Sequence, residues 1–499
     1  MPKILTTAPV LETKLEAHFK PFREQTIGYQ SYLQGPYGPK KIIYADWIAS
    51  GRLYQPIEEK LSHLLGPFVA NTHTETSYTG ALMTRAYAEA RQIIKRHVNA
   101  EKNDVLLTTG TGMTGAVVKL QRILGLKLPE QFKERVQLKP QERPVVFISH
   151  MEHHSNQTSW LETTAEVVQI APTATGELDL DDLERLLKKY ARRAIKIASI
   201  TSGSNVTGVM TPYHQVAEKM HAHGGLCFVD FACSGPYVTI DMNPARKEQE
   251  LDAIFFSPHK FLGGPGSCGI LVFKDKLYKN KVPDVPGGGT VTWTNPWGGH
   301  AFIADIELRE DGGTPGFMQV IRAALAMQLK EKMGVAAIQQ REKNMLSYLF
   351  YRLKAIKGLH VLAPKLQKRL GAVSFFIKDC HYNLVVSLLN DLYGIQTRGG
   401  CSCAGTYGHY LLEVSEDFSR TITENIDAGD ITLKPGWVRL SLHPTMSNAE
   451  LFLICDALEH VAKHWRRYAK DYQRVAHTLE FKHNKNIPVG ASILKECFS

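Results

Sequence analysis

Residues 253–273 read AIFFSPHKFLGGPGSCGILVF. Two apolar runs, Ala253–Phe256 and Cys268–Phe273, flank a glycine-rich segment that carries one lysine, Lys260. Short apolar runs bounded by Pro and Gly read as buried strands that meet at a turn. A lysine at such a junction is either an ordinary loop residue or a group placed for chemistry. Its neighbours decide which.

The same pattern recurs outward from this stretch. Residues 104–109, 144–149, 194–200 and 226–231 predict further strands, and residues 115–126, 179–193 and 213–225 predict the helices between them. Apolar strands alternating with helices predict an α/β fold with a largely parallel sheet. A long helix over 315–334 follows. A second region then mixes strands at 371–378 and 437–443 with a helix from Asn448, which predicts a smaller α+β domain. The expected organisation is an N-terminal extension (1–43), a large α/β domain (44–330), a small C-terminal α+β domain (331–465) and a tail (466–499). Trp465–His477, where the small domain passes into the tail, reads as a solvated terminal helix.

The chain has 499 residues, 43% of them hydrophobic, enough for a sizeable core. Lys+Arg 59 against Asp+Glu 49 gives +10. No basic stripe interleaved with aromatics accompanies that charge, so no nucleic-acid partner is expected. The 8 cysteines are scattered without a CxxC pair, which fits a reducing compartment. The N-terminus lacks a long apolar core, and no apolar run approaches a bilayer span. A soluble cytoplasmic protein that does not engage membranes is expected.

Four motifs carry candidate chemistry. TGTGMTGA (109–116) follows a strand and opens a helix; its Gly110, Gly112 and Gly115 match GxGxxG, and its backbone N–H groups with Thr111 could hold a dinucleotide or any phosphate. SHMEHHSNQTSW (149–160) holds His150, His153 and His154. Their spacing matches no metal-binding helix motif, so no metal is expected, and an aromatic ring beside a ligand crevice suits the strand end better. In FVDFACSG, Asp230 closes a buried strand, where it would pair with an arginine or with a protonated ring nitrogen. Ser257, His259 and Lys260 complete the set, and a lysine of lowered pKa forms Schiff bases with aldehydes. A phosphate grip, a flat imidazole, a carboxylate and an amine at strand ends of one α/β region are what pyridoxal phosphate requires.

The motifs MEHHSN, SNVTG, VDFACSG, SPHKFLGGPG, GGTPG, TRGGCSCAG and VRLSLHP occur in one order from about Tyr44 to Lys463. In this the chain resembles the class V aminotransferases, and within them the cysteine desulfurases and selenocysteine lyases of the Suf type. The resemblance implies the fold type I architecture of pyridoxal-phosphate enzymes and a homodimer. It implies that Lys260 bears the cofactor and shuttles the α-proton, that His153 stacks on the ring, and that Asp230 pairs with the ring nitrogen. Thr111, Gly112, Ser257 and His259 would hold the phosphate, and Thr314 would reach that of the neighbouring subunit. Asn205 would lie near the cofactor oxygen and the substrate carboxylate, and Arg439 would clamp that carboxylate.

Cys403, five residues after Arg398, matches the desulfurase cysteine that becomes a persulfide on conversion of L-cysteine to L-alanine and passes sulfur to an acceptor protein. A class V aminotransferase or another amino-acid lyase would use the same cofactor residues without Cys403. A non-catalytic scaffold and a dinucleotide oxidoreductase are the remaining alternatives. Two departures stand out: Cys233 occupies a position where the family often has glutamine, and the segment 404–438 is longer than usual.

Overall fold

The strands on either side of Lys260 are buried along their whole length. The computed structural model describes residues 9, 11–366, 368–475, 478–485 and 487–499. Seven strands form the central sheet. They are β1 (Val105–Thr109), β2 (Val145–Ile148), β3 (Glu166–Gln169), β4 (Lys196–Thr201), β5 (Leu226–Asp230), β6 (Ala253–Phe256) and β7 (Gly269–Phe273). Their spatial order is β1-β7-β6-β5-β4-β2-β3. Neighbours run parallel except at β7, which is antiparallel to both β1 and β6. The link from β6 to β7 holds only a short 3-10 turn, Pro258–Lys260. A parallel return needs a longer crossover, usually through a helix.

Successive side chains of a strand face opposite sides. Ile254 and Phe256 of β6 therefore join one apolar cluster, and Ala253 and Phe255 join another. Helices close both faces. α1 (Gly112–Ile123) adds Met113, Ala116, Val117 and Leu120 to the second cluster, and α2 (His154–Leu161) adds Trp160. α3 (Phe317–Met333) adds Val320, Ile321 and Ala324 to the first. Covering on both faces is why these strands read as continuous apolar runs rather than alternating ones.

A second sheet of four strands is antiparallel throughout. Its members are β8 (Leu359–Val361), β9 (Ala372–Ile377), β10 (Arg398–Gly400) and β11 (Trp437–Ser441), in the order β8-β9-β11-β10. α4 (Val335–Ala355) precedes it; α5 (Gly405–Leu411) and α6 (Glu416–Asp427) lie between β10 and β11; α7 (Asn448–Ala469) follows. The long segment 404–438 thus has its own structure. Tyr407 of α5 is fully buried in a cluster with Trp437, and α6 is capped by Ser415 and anchored by Ile422.

The first 43 residues include elements that pack closely on the rest of the chain. Helix Thr13–Glu24 buries Phe19 and Phe22. His18 Nε2 is hydrogen-bonded to the Met333 carbonyl at 2.8 Å, and Arg23 Nη1 donates to that of Thr445 at 3.2 Å. Ile43–Tyr44 pairs in parallel with Ile395–Gln396. At the other end, the solvated helix expected over Trp465–His477 is not what forms. α7 runs unbroken past 465 to Ala469, and the chain then turns into a strand, Tyr472–Arg474, paired with Phe481–His483. Burial of Tyr472, with its hydroxyl donating to Asp391 at 2.7 Å, favours the extended path. Residues 476 and 477 lie outside the described residues. Among the described residues no helix is long and apolar enough to cross a membrane.

Phe19 is 0% exposed in the larger cluster. Replacing it with alanine should lower the unfolding free energy by about 3 kcal/mol. Urea titration measures this, and limited proteolysis should then cut first near residue 24. An unchanged midpoint would mean the helix stands apart from the cooperative core.

Candidate active site

The anion seat is built where β1 hands over to α1. Gly112 opens the helix with φ +60, a conformation that L side chains rarely adopt. A Cβ there would stand 2.8 Å from Ser257 Oγ and 3.4 Å from the His259 ring. Met113 N donates to Ser257 Oγ at 2.8 Å, and the Thr111 side chain makes no cap hydrogen bond. Thr111, Gly112, Ser257 and His259 therefore surround the positive end of a twelve-residue helix. The His259 imidazole is pushed down to about 4 by burial, so it is neutral at physiological pH.

The reactive pair follows from the strand ends. β5 stops at Asp230, which is 2% exposed. Burial pushes its carboxyl up to about 6, and among the described residues its hydrogen bond is from Ala232 N at 2.7 Å. β6 stops at Phe256, and the turn that follows it ends on Lys260. The glycines nearby let the chain pack tightly: a Cβ on Gly264 would overlap the Pro258 carbonyl, and one on Gly51 the Phe261 carbonyl. Burial lowers the Lys260 pKa, partly offset by Cys233 and Asp230.

His153 caps α2, its Nδ1 accepting from Ser155 N at 3.1 Å. Burial, then Lys260, push it down to about 3, so its ring is neutral. Cys233 donates from Sγ to the Ser204 carbonyl at 3.5 Å, and burial pushes its thiol up to about 12.

At the other end Arg439 of β11 is 3% exposed. Its Nη2 pairs with Asp46 Oδ1 at 2.7 Å and its Nη1 donates to the Asn205 carbonyl at 3.2 Å. Asp46 Oδ2 accepts from Arg398 Nε at 2.9 Å. Among the described residues, buried Arg439 Nε and Asn205 Oδ1 have no hydrogen-bond partner. Asn205 Nδ2 donates to the Ser402 carbonyl at 2.6 Å. Ser402 and Cys403 both have positive φ, +52 and +54. Such backbone costs about 1 kcal/mol or more per residue and persists only where neighbours enforce it.

One cavity of about 260 Å³ joins these parts. Lys260, Asp230, His153, Asn205, Thr111, Ser257, His259, Cys403 and Arg439 all line it. Gly112 lies directly behind Ser257. Thr314 is outside it, on an exposed loop. The three histidines diverge: His150 bonds the Gly176 carbonyl, His153 faces the cavity, and His154 bonds Gly405 N. Among the described residues no cluster of three or more His, Cys, Asp or Glu could hold a metal ion.

A profile of the family described as aminotransferase class V matches residues 43–453. The chain belongs to that family. A probable cysteine desulfurase of Staphylococcus epidermidis is 29% identical over 372 residues, 73% of this chain and 84% of the relative. One from Staphylococcus aureus is 28% identical over 370 residues, with the same shares. Among solved structures, an apo cysteine desulfurase of Thermococcus onnurineus NA1 aligns with TM-score 0.71 at 22% identity, covering 89% of this chain and 98% of its own. The cysteine desulfurase CsdA of Escherichia coli, in an S-sulfonic acid form, gives TM-score 0.68 at 21% identity with the same coverage. These structural matches establish the shared fold.

Several residues of this class V member were not singled out from the sequence. Asp46 is the carboxylate that Arg439 requires, since a buried guanidinium without one is costly. Its only sequence signal is an acid next to a short apolar run. Thr114 and Ser155 also line the cavity, with their hydroxyls 2.7 Å apart.

Gly112→Ala should weaken binding of a phosphate-bearing ligand at least tenfold while the protein stays folded, as titration followed by fluorescence would show. Asp230 also predicts a pH effect on the ligand-free protein. Its folded pKa lies above its unfolded one, so its contribution to stability is fullest below about pH 4 and is lost as pH rises through 6. Asp230→Asn should remove that loss: its stability relative to wild type should climb from pH 4 to 6 and then level off. Parallel curves would mean the carboxyl does not titrate there. Glu152 and Glu342, pushed up by burial to about 7 and about 8, extend the decline in both proteins.

Proposed function

We propose that this protein desulfurates L-cysteine, releasing L-alanine and leaving a persulfide on Cys403, with pyridoxal phosphate as its cofactor. The observation that carries this reading is that a desolvated lysine, a buried arginine and a thiol open into one cavity. The relatives named probable cysteine desulfurase support it.

The residues fit the cofactor. The cradle of Gly112 and Ser257, which a Cβ would crowd, suits a phosphate at the helix start. The buried Asp230 carboxyl is the partner for a ring nitrogen, and the neutral His153 ring offers a stacking face. Cys233, a neutral thiol whose one S–H goes to the Ser204 carbonyl, replaces the amide often found in the family and would offer the ring oxygen no strong donor.

Pyridoxal phosphate, when bound, supplies a ring that draws electrons from the substrate α-carbon. Lys260, with its lowered pKa, tethers it and carries a proton at Nζ to and from the α-carbon. Arg439 holds the substrate α-carboxylate, with Nε as its one nitrogen without a hydrogen-bond partner among the described residues, while Asp46 fixes the guanidinium plane. Asn205, with its free Oδ1, borders the same end of the cavity. Cys403 attacks the substrate sulfur: the C–S bond breaks, an S–S bond forms, and the β-carbon gains a proton. His153 serves as proton donor or acceptor at this stage.

In this reading residues 44–330 bind the cofactor and residues 331–465 close over the substrate. Thr314, on its exposed loop, reaches the phosphate of a second copy in a homodimer. An acceptor protein then takes the sulfur.

Loading the protein with cofactor and adding L-cysteine with a thiol reductant should give catalytic alanine. Cys403→Ala should abolish it. Alanine formation that survives this substitution, or none from cofactor-loaded wild type, would sink the reading and favour a transaminase or lyase.

A further inference from the structure

We propose that His154 is a positioning residue that staples the Cys403 loop in place for sulfur transfer, an inference resting on the desulfurase reading. Its main chain and its ring grip the loop at two points, the carbonyl of Cys403 itself and the amide two residues on. His154 N donates to the Cys403 carbonyl at 2.7 Å, and Gly405 N donates to His154 Nε2 at 2.9 Å. The ring proton is therefore on Nδ1. A Cβ on Gly405 would lie 3.2 Å from Nε2, so ring and backbone are already in close contact.

The rest of the loop is held less directly. Asn205 Nδ2 takes the Ser402 carbonyl, and Thr406 Oγ1 donates to Gln157 Oε1 of α2 at 2.9 Å. Buried Ser402 Oγ has no partner among the described residues, so it does not help. Yet Ser402 and Cys403 both keep the left-handed backbone that chains leave unless held. Cys403 is exposed, so its own packing cannot fix it. Since α2 also carries His153 as its cap, one short helix sets both the ring beside Lys260 and the thiol that receives sulfur. The second of the two adjacent histidines thus has a task of its own.

The test compares His154→Ala, His154→Leu and His154→Gln in the full-length, cofactor-loaded protein. Leu keeps the bulk without an acceptor, whereas Gln can place an amide oxygen near the Nε2 position. Iodoacetamide alkylation of Cys403, followed by peptide mass spectrometry, reads the loop without relying on turnover. Alanine release reads sulfur transfer, and absorbance of the lysine-bound cofactor reports the rest of the site.

The expected result is at least threefold faster Cys403 alkylation and about tenfold slower alanine release in Ala and Leu, with unchanged absorbance and substantial recovery in Gln. Alkylation within twofold of wild type in Ala and Leu would overturn the proposal, as would a Gln variant as defective as Ala. If wild type itself makes no alanine, the desulfurase reading falls, and the alkylation series still decides whether the staple exists.

Discussion

A guanidinium that is 3% exposed needs a carboxylate, and the one that serves Arg439 comes from Asp46, 393 residues earlier in the chain. Much else depends on that pairing. It draws the segment after Ile43 onto the second sheet, where Ser441 N bonds the Ala45 carbonyl at 2.7 Å. It fixes the plane of the guanidinium and leaves Nε for a ligand. Through its second oxygen it also holds Arg398, at the start of the strand that leads to the cysteine loop. Breaking a buried pair by removing one partner generally costs several kcal/mol, so binding geometry and fold are tied to the same contact.

The sequence made the central sheet readable because its physics is local. β6 and β7 are apolar runs closed by turn residues, and covering on both faces leaves no polar alternation to confuse the period. Lys260, Asp230 and His153 were legible for the same reason: each stands at a strand end or a helix cap. The docking of helix Thr13–Glu24 was not, since an amphipathic helix does not say what its face will cover. Asp46 was hidden because its meaning lies in a partner hundreds of residues away. His154 looked like a duplicate of His153 until the helix cap separated the directions of the two rings.

Behind the site lies one buried acid that the proposed chemistry does not use. Glu152 accepts from Ser149 Oγ at 2.5 Å, Thr201 N at 2.9 Å and Asn156 Nδ2 at 2.7 Å, which joins the start of α2 to β4. Such a fully connected polar group specifies one arrangement, since any shift would strand a donor. It fixes α2 relative to the strands that lead to Asp230. The left-handed residues at 402 and 403 are held against a helix that is itself hydrogen-bonded to the sheet through Glu152.

The reversed strand β7 has a further consequence. It is hydrogen-bonded on one side to the strand that ends at the anion seat and on the other to the strand that ends at the lysine turn. Gly269, its first residue, lies so close to Gly112 that no side chain fits between them. The helix start and the lysine turn are therefore both tied to one strand, which sets the spacing of their backbones. The fold thus acts as a gauge: whatever is held at the helix start and at the lysine together must bridge the spacing that these two ladders set.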